Sequence, residues 1–234
     1  MHTAERNILL CALAVSAGSA DVWSFFGLGH AFVANMTGNT VLLGASVFLN
    51  RAGMLHPFVS LCCYGAGTVA AALITRNVEA GVVWARPISW ALLLEALVLT
   101  GAEAGWIIVA HFGHHQPSLI LLLGVVAFGI GAQSGAMVRL KVPGVVTTYI
   151  TGTWTTMISG LAVFKAQAHR ETPGQKVEVE ERLLTQAVIL AFYFCSAVLT
   201  GWLFRHQPLL VGGLSAALSL FAGIYGIART PRSV

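Results

Sequence analysis

Two short stretches of hydroxyl and amide side chains interrupt an otherwise apolar sequence: Asn35-Met36-Thr37-Gly38-Asn39-Thr40 and Thr148-Tyr149-Ile150-Thr151-Gly152-Thr153. Threonine and asparagine offer side-chain oxygens and compete with helical backbone bonding, so each stretch suits a break in a helix. A half-helix starting there aims free N–H groups and a positive dipole end inward, with hydroxyls beside them. That chemistry accepts an anion or a small polar molecule. Asn35, Thr37, Gly38, Asn39, Thr148, Thr151, Gly152 and Thr153 are therefore candidate substrate-binding residues, joined by Gln133 from the polar pair Gln133-Ser134. The competing explanation is close helix packing, with the hydroxyls bonded to carbonyls of the preceding turn.

Three acids also lie inside apolar stretches: Asp21, Glu95 and Glu103. An acid at the centre of a membrane helix costs on the order of 2.5 to 3.5 kcal/mol on insertion scales. Such residues face a bundle interior or a water-filled cavity. Asp21 follows the small residues Ala17-Gly18-Ser19-Ala20, where backbones approach closely, and Glu95 and Glu103 share roughly one helical face. All three are candidates for proton coupling, against the plainer role of neutral acids that hold helices together.

The elements that must position these residues are long apolar runs. The chain has 234 residues, 56% hydrophobic and 9% charged, against roughly 25% charged in a soluble domain. Eight apolar segments are read, at about 8–28, 31–50, 56–76, 88–111, 117–139, 144–164, 182–204 and 207–228. Each is near the length that crosses ~30 Å of hydrocarbon. One polar connection of any size, 165–182, carries Pro173, Gly174 and four glutamates. Sliding the chain by 114 residues sets Thr37-Gly38 on Thr151-Gly152, and a shift of 129 lays Tyr64 to Arg76 on Tyr193 to Arg205. Two related membrane repeats follow, 1–112 and 113–234.

Cytoplasmic loops collect Lys and Arg. Eight crossings would split these residues eight to five, whereas six crossings with two re-entrant or broken Thr-Gly elements split them eleven to two, with Arg51 and Arg205 outside. The expected fold is therefore an all-α polytopic bundle with six full crossings and inverted halves. Tryptophans 84, 90, 106 and 202 lie near segment ends, as interfacial belts require. Arg6, the run Ile8 to Val15 and the small residues after it imitate a signal peptide, but the repeat includes them in the fold.

Other functions find no footing. The +4 charge and pI near 9.1 come without a basic patch interleaved with aromatics, so no nucleic-acid partner is expected. Cys11, Cys62, Cys63 and Cys195 show no metal-type spacing. His111, His114 and His115 adjoin Pro117 without an accompanying acid or cysteine and read as a wet loop. No G-x-S-x-G elbow, phosphate loop, dinucleotide fingerprint or H-E-x-x-H occurs. No catalytic residue, metal or cofactor is assigned, and the chain is read as a protein other than an enzyme.

The run Gly18-Ser19-Ala20-Asp21, then Phe32 to Thr40, Gly131-Ala132-Gln133-Ser134-Gly135-Ala136, and Val142 to Thr148 with Thr151-Gly152-Thr153, resembles the YoaK family of uncharacterised bacterial polytopic membrane proteins. The resemblance implies a multi-pass inner-membrane protein and supplies no substrate. Ser134-Gly135 departs from the asparagine-alanine pair expected there.

Together these features indicate a transporter or channel-like permease for a small polar or anionic solute, coupled to protons through the three acids. Its partners are the lipid bilayer, the solute and, in an assembly, further copies of the chain. A non-transporting scaffold or sensor that binds a lipid or protein is the alternative.

Overall fold

The computed structural model describes residues 1–49, 51–79, 81–113, 116–140, 150–167 and 173–230. These form eight α-helices: α1 (Thr3–Gly27), α2 (Met36–Leu49), α3 (Leu55–Ile74), α4 (Arg86–Phe112), α5 (Gln116–Met137), α6 (Ile150–Gln167), α7 (Pro173–His206) and α8 (Gly213–Arg229). Six of the helices are long and apolar enough to cross a membrane. The other two, α2 and the apolar part of α6, Ile150–Phe164, are shorter. At 1.5 Å per residue, fourteen residues of α2 reach about 21 Å, less than the ~30 Å hydrocarbon core.

α2 begins inside the first hydroxyl-rich motif, at Met36, and the second motif is described from Ile150 onward, where it is helical as part of α6. In the first motif the break expected from composition is thus a helix start. Pro87 in the first turn of α4 follows an extended cap at Ala85 and fits a helix beginning there. The connection 165–182, expected as a polar loop, is helical from Pro173 onward, so α7 carries Glu178, Glu180 and Glu181 on exposed polar turns ahead of the apolar span, while Glu171 lies outside the described residues. Lys and Glu are good helix formers and need no loop to stay wet.

α1 and α5 stand at the centre, with 72% and 78% of their apolar windows buried. α7 and α8 pack on α1, α3 and α4 pack on α5, and α4 packs on α8. The short helices lean on the outer ones, α2 on α3 and α6 on α7. Small residues permit the tightest of these approaches: a Cβ on Gly67 of α3 would collide with the Phe128 carbonyl of α5, and one on Gly131 of α5 with the Tyr64 carbonyl of α3. The outer surface carries Phe48, Phe112 and Phe194, exposed by 93%, 81% and 68%. Apolar rings at that exposure suit a lipid surface.

Contacts at the ends decide the number of crossings. Arg229 pairs with Glu5 at 3.3 Å, the Arg86 Nε donates to the Thr230 carbonyl at 3.1 Å, and the Arg139 Nε donates to Thr75 at 3.4 Å. Arg86 and Arg139 therefore lie at the same end as Arg229 and the N-terminal Glu5, as six crossings require and eight do not. At the opposite end Trp106 donates its indole N–H to the Pro208 carbonyl at 2.7 Å. Trp106 and Trp84 are buried although they stand near segment ends, while Trp90 and Trp202 are exposed.

Candidate functional site

The approach to α2 is built by Asp21. After α1 ends, Gly29 at φ 110° and His30 at φ 59° turn the chain back, and His56 sits where a Cβ on Gly29 would stand. The returning segment runs beside α1 until the backbone N–H groups of Val33, Ala34 and Asn35 meet Asp21 Oδ1, at 2.8, 2.7 and 3.4 Å. The second oxygen, Oδ2, accepts the Tyr193 hydroxyl at 2.6 Å. Asp21 lies six residues before the end of α1, so the start of α2 is carried about 9 Å inward. Four donors on one buried acid explain how an irregular segment survives there, since hydrogen bonds to a charged group contribute roughly 1.5–3 kcal/mol each.

Much of the first motif serves this construction. Asn35 caps α2, its Oδ1 accepting the Gly38 N–H at 3.0 Å. Asn39 is fully buried; its Oδ1 accepts the Phe32 N–H at 2.9 Å and its Nδ2 donates to the Phe32 carbonyl and to Ser60. Thr40 bonds the Met36 carbonyl of its own helix. Thr37 is left facing an opening.

That opening is a cavity of about 350 Å³ between α2, α3, α5, α6 and α7, with Asn35, Thr37, Tyr64, Thr68, Thr151 and Tyr193 among its lining residues. Thr37 and Thr151, one from each motif, stand on the same cavity, and Ser134 and Val138 of the α5 end also border it. Tyr64 lies midway along α3, nine residues after Leu55 and ten before Ile74, so the cavity reaches the middle of the bundle. Thr68 donates to the Gly131 carbonyl at 3.1 Å, tying α3 to α5 beneath it. The donors here are hydroxyls, beside the first turn of α2, whose dipole presents partial positive charge. Among the described residues no lysine or arginine lines the space.

Of the candidate binding residues, Asn35, Thr37 and Thr151 meet at the cavity. Gly38, Asn39, Gly152 and Thr153 lie behind it in their helices, Thr153 fully enclosed. Gln133 points elsewhere, its Nε2 donating to the Leu13 carbonyl of α1 at 3.1 Å. Thr148 lies outside the described residues, as do His114 and His115. His111 bonds the Ile107 carbonyl within α4. Tyr64, Tyr193 and Thr68 were not singled out from the sequence, although the alignment of Tyr64 with Tyr193 marked them as a matched pair.

The remaining two acids lie outside the cavity lining. Glu103 Oε2 accepts the Gly212 N–H at 3.0 Å, at the start of α8. Glu95 sits in the α1/α4/α8 junction with zero exposure. Its Oε1 accepts Ser219 at 2.8 Å and Ser16 at 3.4 Å.

Over residues 9–226 the chain matches the family described as "Protein of unknown function (DUF1275)". The chain belongs to that family. A DUF1275 relative, the "UPF0700 transmembrane protein YoaK" of Bacillus subtilis (strain 168), is 32% identical over 168 residues, which covers 70% of this chain and 72% of the relative. The resemblance read from the motifs is thereby shown, and like this relative the DUF1275 protein described above is a multi-pass transmembrane protein. No solved structure matches it.

Proposed function

We propose that the chain is a permease for a small polar or anionic solute that passes through the cavity between the start of α2 and the Thr151 region of α6. One observation carries the reading: α2, too short to span, begins at the first hydroxyl-rich motif, and Thr37 there shares one mid-bundle space with Thr151 of the second motif, on α6. A bundle built only for packing has no need of such interruptions, whereas transporters place broken helices at their binding sites. The packing supports two related halves, because exchanging α1–α4 for α5–α8 maps α1 on α7 to α5 on α3, and α2 on α3 to α6 on α7. Arg6, Arg76, Arg86, Arg139 and Arg229 belong to the basic end, which the positive-inside rule turns toward the cytoplasm of a bacterial inner membrane.

The test is flux in liposomes with formate and chloride as probes and glycerol as the uncharged comparison. Thr37→Val with Thr151→Val should lower flux at least tenfold, about 1.4 kcal/mol in barrier height, with the melting temperature in detergent unchanged. Purified protein that moves none of the three under an imposed gradient would end the proposal.

The alternative of a lipid-binding scaffold rests on a groove of about 560 Å³ on the α3/α4/α5 face, lined by Val59, Cys63, Val98, Leu121, Gly124 and Phe128. It predicts that filling the groove with Gly124→Leu alters function while the threonine pair is dispensable.

A further inference from the structure

The three intramembrane acids differ in how their charge is met. Asp21 has both oxygens occupied, by three backbone N–H groups and the Tyr193 hydroxyl. Glu103 leaves Oε1 without a partner but stands on the Gly212 N–H at the first turn of α8, where the helix dipole favours an anion. Glu95 has neither support. It lies nine residues into α4, about 14 Å from the Arg86 end, away from any helix terminus. Its Oε2 is buried without a hydrogen-bond partner, and its Oε1 meets only hydroxyls.

Among the described residues no counter-ion is at hand. α1 and α8 present Ser16, Ser215 and Ser219, which are linked to one another: Ser16 Oγ lies 3.0 Å from Ser219 Oγ, and Ser215 donates to the Ser16 carbonyl at 2.9 Å. The ionisable residues of α8, Tyr225 and Arg229, are engaged with Glu5 at the basic end. Helix α5 contains no ionisable residue between Gln116 and Met137. On α3, Cys63 lies against Gly124 and Tyr64 lines the cavity, and on α4 itself Arg86 is tied to Thr230. An isolated charge in such surroundings is expensive, and a proton on the carboxyl removes it.

We propose that Glu95, cradled by Ser16 and Ser219, is the proton-binding residue of this protein, and that Asp21 and Glu103 are fixed supports for the starts of α2 and α8. A coupling role for that proton rests on the permease reading. The serine oxygens and Oε1 stand at hydrogen-bond separations, which a shared proton fits and a sodium ion would have to spread.

The deciding measurement is proton release from the full-length protein in detergent after an alkaline jump, followed with a soluble indicator dye. Wild type should release about one proton per chain more than Glu95→Gln, while Glu95→Asp, which keeps a carboxyl, and Glu103→Gln retain the release. Equal release from wild type and Glu95→Gln overturns the proposal, as does a release seen only in sodium buffer and absent in potassium. Should Glu95→Gln aggregate, Ser219→Ala must shift the pH of release, and an unshifted release overturns it. In liposomes with formate as probe, Glu95→Gln should still exchange formate and lose its dependence on a pH gradient. Dependence retained in that variant defeats the coupling role of Glu95 and leaves the permease standing. A wild type that moves no formate defeats the permease reading, and the proton count then decides Glu95 by itself.

Discussion

The two tyrosines of the cavity occupy matched places and opposite circumstances. Tyr193 of α7 donates to Asp21 of α1, so its hydroxyl belongs to the scaffold that holds the start of α2. Tyr64 of α3 faces the same cavity across from α5, where Gly135 stands at the place that a shift of 114 residues assigns to Asp21. Its hydroxyl has no hydrogen-bond partner among the described residues. One side of the cavity is therefore locked by an acid, and the other keeps a donor available to whatever enters. α5 compensates by coming closer to its neighbour: Gly131 and Gly135 bring it against backbone of α3, and Thr68 of α3 bonds the Gly131 carbonyl. Polar bonding secures one side, and close backbone contact secures the other.

Mutations can break this comparison. Asp21→Ala should do most harm, since it strands the buried N–H groups of Val33 and Ala34, the N–H of Asn35 and a hydroxyl; a loss of roughly 3–5 kcal/mol is expected in detergent denaturation. A melting temperature equal to wild type would mean that the returning segment holds itself. Tyr193→Phe should lose about 1.5–3 kcal/mol, the worth of one hydrogen bond to a charged group.

On the other side, Gly67→Ala should lose about 1–3 kcal/mol, because its new methyl meets the Phe128 backbone, which cannot step aside. Tyr64→Phe should stay within about 0.5 kcal/mol in stability and yet weaken formate flux. If it destabilises as much as Tyr193→Phe, the asymmetry between the tyrosines is wrong. The smallest effect is expected at Gly65, where an added Cβ meets open space; Gly65→Ala should gain up to about 1 kcal/mol from helix propensity. That result would confine the α3 glycine requirement to the α5 contact.

Much of the architecture was legible before any contact was known. Segment lengths, the two Thr-Gly interruptions and the Lys/Arg distribution already favoured six crossings over eight, and Arg86 beside Thr230 agrees. The acids were recognised as inward-facing, as their burial bears out for Asp21 and Glu95. Their different surroundings were hidden. Asp21 as a support for α2 depends on how far residues 28–35 fold back along α1, which no periodicity encodes. Asn39 read as a ligand because asparagine beside a Thr-Gly pair looks available; its amide is consumed by Phe32 and Ser60. Ser215 and Ser219 passed unnoticed, since serine is ordinary in a membrane helix and only the meeting of α8 with α4 sets Ser219 on Glu95.

By itself the sequence determined the medium, favoured six spans over eight and marked the places where helices are interrupted. These follow from properties that add along the chain: an apolar run either is or is not long enough to cross, and each charge adds to the count on its own side. Which acid is supported and which is left with only hydroxyls was decided by tertiary structure. Each acid has one partner from a helix more than a hundred residues away, Tyr193 for Asp21 and Ser219 for Glu95. A side chain's partner is set by which helix faces meet, and helix packing joins faces without regard to distance along the chain.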